Sequence, residues 1–274
     1  PAGIEPALCL LSLGAQVTFV PPDGGGLIDP AAIEKALRPG TALVSVMLAN
    51  NETGVLQPVA EIGRLTRARG VLLHTDAAQA VGKIGVDVAV LGVDLLSVAG
   101  HKLYAPKGVG ALYVRRGVEL EPFLHGAGQE SGRRAGTENV ALAAALGEAC
   151  RLAGERLAED IPRLAALRNR LWEKLAQGLP GLVLVGGEHE RLPNTLNVCV
   201  PGRLGSEVLA RAPEVRASTG AACHSGQVKV SPVLQAMGLD PEIAQGAIRL
   251  SLGRSTTAQE VDRAVAALVR AARE

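Results

Sequence analysis

Thr41-Ala-Leu-Val-Ser-Val-Met-Leu48 is a nearly continuous apolar run of strand length, the pattern of a strand buried on both faces of a parallel sheet. Upstream, Asp29-Pro30 opens a helix that runs to Leu37. Before it come a helix from Glu5 to Leu13 ending at Gly14, a short strand Gln16-Val-Thr-Phe-Val20 and a turn, Pro21-Pro-Asp-Gly-Gly-Gly26. Downstream, Val59 to Arg69 has helical spacing, Val71 to Thr75 reads as a strand, Ala77 to Val81 begins a helix, and Asp94 to Val98 and Val109 to Val114 are strands. Strands alternating with helices predict an open α/β sheet, mostly parallel.

From Val140 the character changes. Ala-, Leu-, Glu- and Arg-rich sequence continues with helical spacing to Gln177, softly broken near Glu159-Asp-Ile-Pro162. Short strands at Leu182–Val185 and Thr195–Val200, a helix near Ser206 to Arg211, a strand Ala247–Leu252 and a helix from Thr257 to about Arg270 follow. They predict a smaller α+β domain. The expected division is a large α/β domain over 1–148 and a small C-terminal α+β domain over 149–274.

The 274 residues are 47% hydrophobic and 20% charged, ordinary globular composition. Net charge is +1, from 28 basic and 27 acidic side chains in no long single-sign block, so neither nucleic acid nor a membrane surface is an expected partner. No apolar run approaches the roughly 18 residues of a spanning helix, and the first residues lack a signal peptide's basic start, so a cytoplasmic protein is expected. Four cysteines, Cys9, Cys150, Cys199 and Cys223, show no metal-binding spacing, which predicts no metal site and fits a reducing compartment. The chain begins with Pro1 and reads as a fragment or a processed product.

Three polar motifs end three of these strands. Ala49-Asn-Asn-Glu-Thr-Gly54 places amides and a carboxylate where open α/β sheets bind ligands, although alone it equals an ordinary polar turn. In His74-Thr-Asp-Ala-Ala-Gln79, Asp76 and Gln79 also have the spacing of a helix cap, and His74 reads as a packed strand residue. Ser97-Val-Ala-Gly-His-Lys102 ends in a lysine that alone would be an exposed charge. Together the three open on one rim, and chance explains three less well than one. Lysine amines form Schiff bases with carbonyl cofactors, and pyridoxal phosphate sites pair such a lysine with an aspartate at the pyridine nitrogen. Ala217-Ser-Thr-Gly-Ala-Ala-Cys-His-Ser-Gly226 sets Cys223 among small residues without apolar periodicity, either a nucleophile on an accessible loop or a passive thiol. Arg249 inside Ala247–Leu252 is either a carboxylate clamp or an edge-strand arginine. The glycines and arginines of Gly126–Asn139 fit an anion-contacting loop, a subunit contact or a plain flexible loop.

Ala49-Asn-Asn-Glu-Thr-Gly54, His74-Thr-Asp-Ala-Ala-Gln79, Gly100-His-Lys102, Arg134-Ala-Gly-Thr137 and Gly220-Ala-Ala-Cys-His-Ser225, in this order, resemble the pyridoxal-phosphate-dependent cysteine desulfurases and selenocysteine lyases, NifS-like members of aminotransferase class V. The likeness runs over essentially the whole chain. It implies fold type I of the pyridoxal-phosphate enzymes, a homodimer, and pyridoxal 5'-phosphate as cofactor. By position, Lys102 resembles the lysine that bonds the cofactor, Asp76 the partner of its ring nitrogen and Gln79 the contact to its ring hydroxyl. Asn51 resembles the ring-pocket and substrate-contacting asparagine. His101 and Thr137 resemble phosphate ligands, the threonine being lent by the other subunit. Arg249 resembles the substrate carboxylate anchor, and Cys223 the cysteine that attacks sulfur or selenium.

The resemblance therefore implies removal of sulfur from L-cysteine to give L-alanine and an enzyme-bound persulfide, passed to a sulfur acceptor or scaffold protein as in iron–sulfur cluster assembly. Release of selenium from L-selenocysteine is the alternative. Ala99 stands where many desulfurases have a phosphate-binding serine, and this change and Gly-Ala-Ala-Cys-His-Ser are similar to selenocysteine lyases, whereas Gly226-Gln-Val-Lys-Val-Ser-Pro232 has the loop length of bacterial desulfurases. The family's phosphate-cradling Gly/Thr/Glu motif and ring-stacking histidine precede the segment that begins at Pro1, so the large domain is expected to be incomplete at its N-terminus. An inactive truncated form and an aminotransferase on the same fold are the remaining alternatives.

Overall fold

The computed structural model describes residues 2–219, 222–224 and 227–274, with the side chains of 222–224 and 227–229 outside the description. The chain divides into two compact units, one of Thr41–Leu48 with Val59–Ala158, the other of 1–40, Ala49–Pro58 and Glu159–Glu274.

Helices α1 (Ile4–Ser12) and α2 (Pro30–Ala36) belong to the second unit. Asp29 caps α2 by accepting from the Ala31 N–H, with Pro30 at the first helical position, where its missing N–H costs nothing. Gln16–Val20 pairs with no strand among the described residues and is not a strand. Its apolar residues are β-formers, but a strand exists only through a partner's hydrogen bonds.

The first unit is built on β1 (Leu43–Met47), α3 (Val59–Ala68), β2 (Leu72–Asp76), α4 (Val88–Leu91), β3 (Leu95–Ala99) and β4 (Gly110–Val114). The sheet runs in the order β1-β2-β3-β4. β1, β2 and β3 are parallel and β4 returns antiparallel to β3. The short β3–β4 link, which holds only a 3-10 turn over Gly100–Lys102, does not have the length of a parallel crossover. α3 lies against β2 and buries Val59, Ile62 and Thr66. Leu73 is fully buried beneath it. β1 does not have the two buried faces its run of apolar residues predicts: Leu43 is 47% and Met47 39% exposed. It is an edge strand, and within this unit α3 screens only one face of the sheet.

Ala77–Val81 forms one turn instead of a helix. The Ala80 and Val81 N–H groups both donate to the Ala77 carbonyl, at 2.9 and 3.0 Å, and the chain then bends at Gly82, whose φ of +75° few L side chains adopt. Val140–Gly178 is a single helix, α5, of 39 residues that continues through Pro162. A proline removes one backbone donor, and here flanking turns packed through Leu164 and Leu171 outweigh that loss.

The second unit holds β5 (Val183–Leu184), β6 (Thr195–Cys199), α6 (Gly205–Arg211), β7 (Ser218–Thr219), β8 (Ala222–His224), β9 (Gln227–Lys229), α7 (Pro232–Ala236), α8 (Pro241–Ala244), β10 (Ala247–Ser251) and α9 (Ala258–Arg273). Its sheet has the order β5-β6-β10-β7 with antiparallel pairing throughout, and β8 pairs antiparallel with β9. Every residue of β6 is buried. Leu196, Val198, Ile248 and Leu250 meet Val261 and Leu268 of α9 and Leu171 and Leu175 of α5 in one core. Each such side chain contributes about 1.5–3 kcal/mol by leaving water. Thr257 and Glu260 form a reciprocal capping box at the start of α9.

Candidate active site

In the first unit, parallel pairing sets Met47, Asp76 and Ser97 in register at the carboxyl ends of three adjacent strands. Ligands of open α/β sheets bind at this end. Asp76 is half-buried, and its Oδ1 accepts the Ala78 N–H at 2.9 Å. The carboxylate thus caps a turn two residues on, and among the described residues its Oδ2 has no donor. Gln79 lies half-buried in the same turn.

β3 ends at Ala99, and the 3-10 turn Gly100–Lys102 begins at once. Gly100 is required there because a Cβ would come within 2.8 Å of the Val109 carbonyl oxygen on the returning strand. That close approach answers why a glycine precedes His101 and Lys102. Both of these side chains are exposed at the rim, anchored from below by buried Leu103 and Ala105, which pack on Leu146 and Ala149 of α5. The Lys102 amine is engaged in no hydrogen bond or ion pair among the described residues. Thr137 is exposed on the loop before α5.

Two groups near this rim, His74 and Lys83, make bonds the sequence reading did not assign, and a third, Asp94, braces the opposite end of β3. His74 joins Ser45 through Nδ1 at 2.8 Å and Ser97 through Nε2 at 2.9 Å, which ties β1, β2 and β3 together. Burial lowers its pKa, partly opposed by the Asp76 charge. Serines recurring in apolar strands on either side of a histidine strand were the available signal. Lys83 donates to the Lys102 carbonyl at 3.2 Å, and burial, with the nearby Lys102 charge, lowers its pKa to about 8. Asp94, buried at the start of β3, accepts from the Leu73 N–H at 2.7 Å and from Arg115 Nε at 2.5 Å, which fixes the β2–β3 register.

In the second unit, Arg249 on β10 is half-buried. Its Nη1 donates to the Asn51 carbonyl at 2.9 Å and its Nη2 to Ser218 Oγ at 3.2 Å. Its strand neighbour Asn197, fully buried on β6, donates through Nδ2 to the Glu52 carbonyl at 3.1 Å. The Asn51–Glu52 segment is therefore gripped twice by the antiparallel sheet, a long-range pairing no local pattern foretells. Asn50 shapes the same turn by accepting from the Glu52 and Thr53 N–H groups. The Cys223 side chain lies outside the described residues. Among them no cluster of metal-ligating side chains occurs, and no helix is long and apolar enough to cross a membrane.

A parallel-dominated α/β sheet with a lysine in the turn after one of its strands, joined in one chain to an antiparallel α+β unit, makes this a mixed α/β protein. The chain belongs to the aminotransferase class-V family, whose model matches residues 2–264. It is 45% identical over 251 residues to the cysteine desulfurase IscS of Escherichia coli K12, and 44% identical to that of Salmonella arizonae. These alignments cover 91% of this chain and 62% of the relatives' length. Among solved structures, a NifS-like protein superposes with a TM-score of 0.90 at 36% identity, covering 97% of this chain and 71% of the other. SspA in complex with cysteine superposes with a TM-score of 0.76 at 35% identity, covering 91% and 70%.

Proposed function

We propose that this chain is part of a pyridoxal-phosphate-dependent cysteine desulfurase that converts L-cysteine to L-alanine and carries the sulfur as a persulfide. The observation that bears most on this reading is the uncommitted Lys102 amine after β3 beside a strand end carrying Asp76, in a chain so similar to IscS. The donor set fits the cofactor: a carboxylate oxygen with no donor among the described residues for a ring nitrogen, an amide for a ring hydroxyl, an amine with no bond among the described residues for a carbonyl carbon, and an imidazole for a phosphate. Asp76, Gln79, Lys102 and His101 would hold it, with Thr137 contributing to the phosphate of a second copy in a homodimer. Bound there, pyridoxal phosphate supplies an electron sink for charge at the substrate α-carbon.

The chain's own groups do the rest. The Asp76 carboxylate keeps a proton on the ring nitrogen by charge pairing. Lys102 Nζ takes and returns the α-proton. Arg249, with Asn51 beside it, receives the substrate carboxylate through its guanidinium. The Cys223 thiolate attacks the substrate sulfur. An S–S bond forms, the Cβ–S bond breaks with its electron pair left on carbon, and protonation of that carbon yields alanine. A sulfur acceptor or scaffold protein would then take the persulfide sulfur.

The test is visible absorbance on adding pyridoxal phosphate, and alanine release from L-cysteine. Lys102→Ala should abolish the absorbance and lower turnover at least ~100-fold, the scale of a lost general acid–base group; retention of both refutes the assignment of Lys102. Release of selenium from L-selenocysteine is a second reading, favoured by Ala99 at the end of β3 in place of a serine. Under that reading Cys223→Ala ends activity on L-cysteine and spares it on L-selenocysteine.

A further inference from the structure

His74 is bonded at both ring nitrogens to neutral hydroxyls, Ser45 on β1 and Ser97 on β3. Such a ring is fully satisfied without a second proton, because a hydroxyl donates to one nitrogen and accepts from the other. His74 also shares a strand face with Asp76, two residues on and about 7 Å away along the strand. Ser97 stands in register beside Asp76 while its hydroxyl reaches back to His74. The charged group acting on His74 is Asp76, on its own strand; from β1 and β3 it meets the two serines, and Leu95 opposite it in register.

We propose that Ser45, His74 and Ser97 form a hydrogen-bonded row whose neutral imidazole is the positioning residue for Asp76, bracing the carboxylate's strand end while leaving its negative charge to the cofactor's ring nitrogen. A cation at this place would compete for that charge; a neutral, doubly tethered ring does not. Burial, which disfavours the imidazolium, acts in the same direction. The proposal rests on the reading of Asp76 as a ring-nitrogen partner.

Two measurements separate the proposal from that reading. In nitrogen-15 spectra of the histidine-labelled protein, His74 should be neutral at pH 7 and titrate below the ordinary histidine value. Ser45→Ala and Ser97→Ala should each alter the tautomer signature of the nitrogen they release. Asp76→Asn should move the titration further down by removing the attractive charge. An imidazolium at pH 7, or a titration indifferent to Asp76→Asn, overturns the proposal with no cofactor involved. In the second measurement, pyridoxal phosphate is titrated into folded variants and followed by absorbance. His74→Gln, which keeps a neutral hydrogen-bonding side chain, should bind nearly as the natural protein does, and His74→Lys roughly tenfold more weakly, as expected of a cation about 7 Å from a carboxylate. Equal affinity of His74→Lys and the natural protein refutes the positioning role. Failure of the natural protein to bind overturns the functional reading, and the spectra then decide the electrostatic row alone.

Discussion

The two sheets solve the placement of polar groups in opposite ways. The parallel sheet keeps its chemistry at strand ends and on one face, where His74, Asp76 and Ser97 lie half-buried and β1 and β4 leave Leu43 and Leu112 to solvent. The antiparallel sheet encloses Asn197, wholly buried in a strand with no exposed position: its Nδ2 donates to the Glu52 carbonyl, while its Oδ1 has no hydrogen-bond partner among the described residues. In the first, register brings functional groups together. In the second, a dense core makes a fixed backing for Arg249 and the segment it grips.

That contrast is broken most directly by truncating equivalent apolar positions. Ile248→Ala, in the antiparallel core, should cost about 2–5 kcal/mol in chemical denaturation, because it removes buried methyls and leaves a cavity. A loss below 1 kcal/mol would mean that this core is loosely packed. Next in size is Asp94→Ala in the parallel sheet, expected to cost about 1–3 kcal/mol by orphaning the buried Leu73 N–H. Protection of the Leu73 amide from hydrogen exchange should fall with it.

A pH titration of stability sharpens the comparison on a smaller scale. The folded His74 binds its proton more weakly than the unfolded one, whose value is near 6.5. As pH falls below about 6.5 the unfolded chain takes up more protons, so stability declines until His74 itself titrates at its lower folded value, and then the decline ends. His74→Gln should flatten this part of the curve; an unchanged slope places its origin elsewhere. The smallest effect is expected from Leu43→Ala on β1, within about 0.5 kcal/mol because that side chain is largely in water already. A larger loss would show that the exposed face of β1 is covered in solution.

Most regular elements were legible because period and punctuation coincide, as at Asp29-Pro30 before α2 and Thr257 before α9. The misreadings have physical causes. Gln16–Val20 has strand composition but no partner strand among the described residues, Ala77–Val81 has a cap and then a glycine bend, and Pro162 sits in a helix held by its neighbours' packing. His74 is the strand residue the sequence predicts, half-buried in β2; what no local stretch showed is its bonds to Ser45 and Ser97, 29 and 23 residues away.

By itself the sequence determined the alternation that makes an α/β sheet, the three polar strand ends, and the likeness that names Lys102, Asp76, Gln79, His101, Asn51, Arg249, Thr137 and Cys223. The alternation and the polar strand ends follow from short-range period and residue chemistry; the named residues are what the resemblance to a known family implies. Tertiary structure alone decided that β1 is an edge, that Asp76 stands in register with Ser97, that Lys83 bonds the backbone of Lys102, and that Arg249 and Asn197 grip the Asn51–Glu52 segment. Each of these joins residues at least 19 positions apart, and register and burial at that separation are set by the whole packed sheet and not by any local stretch.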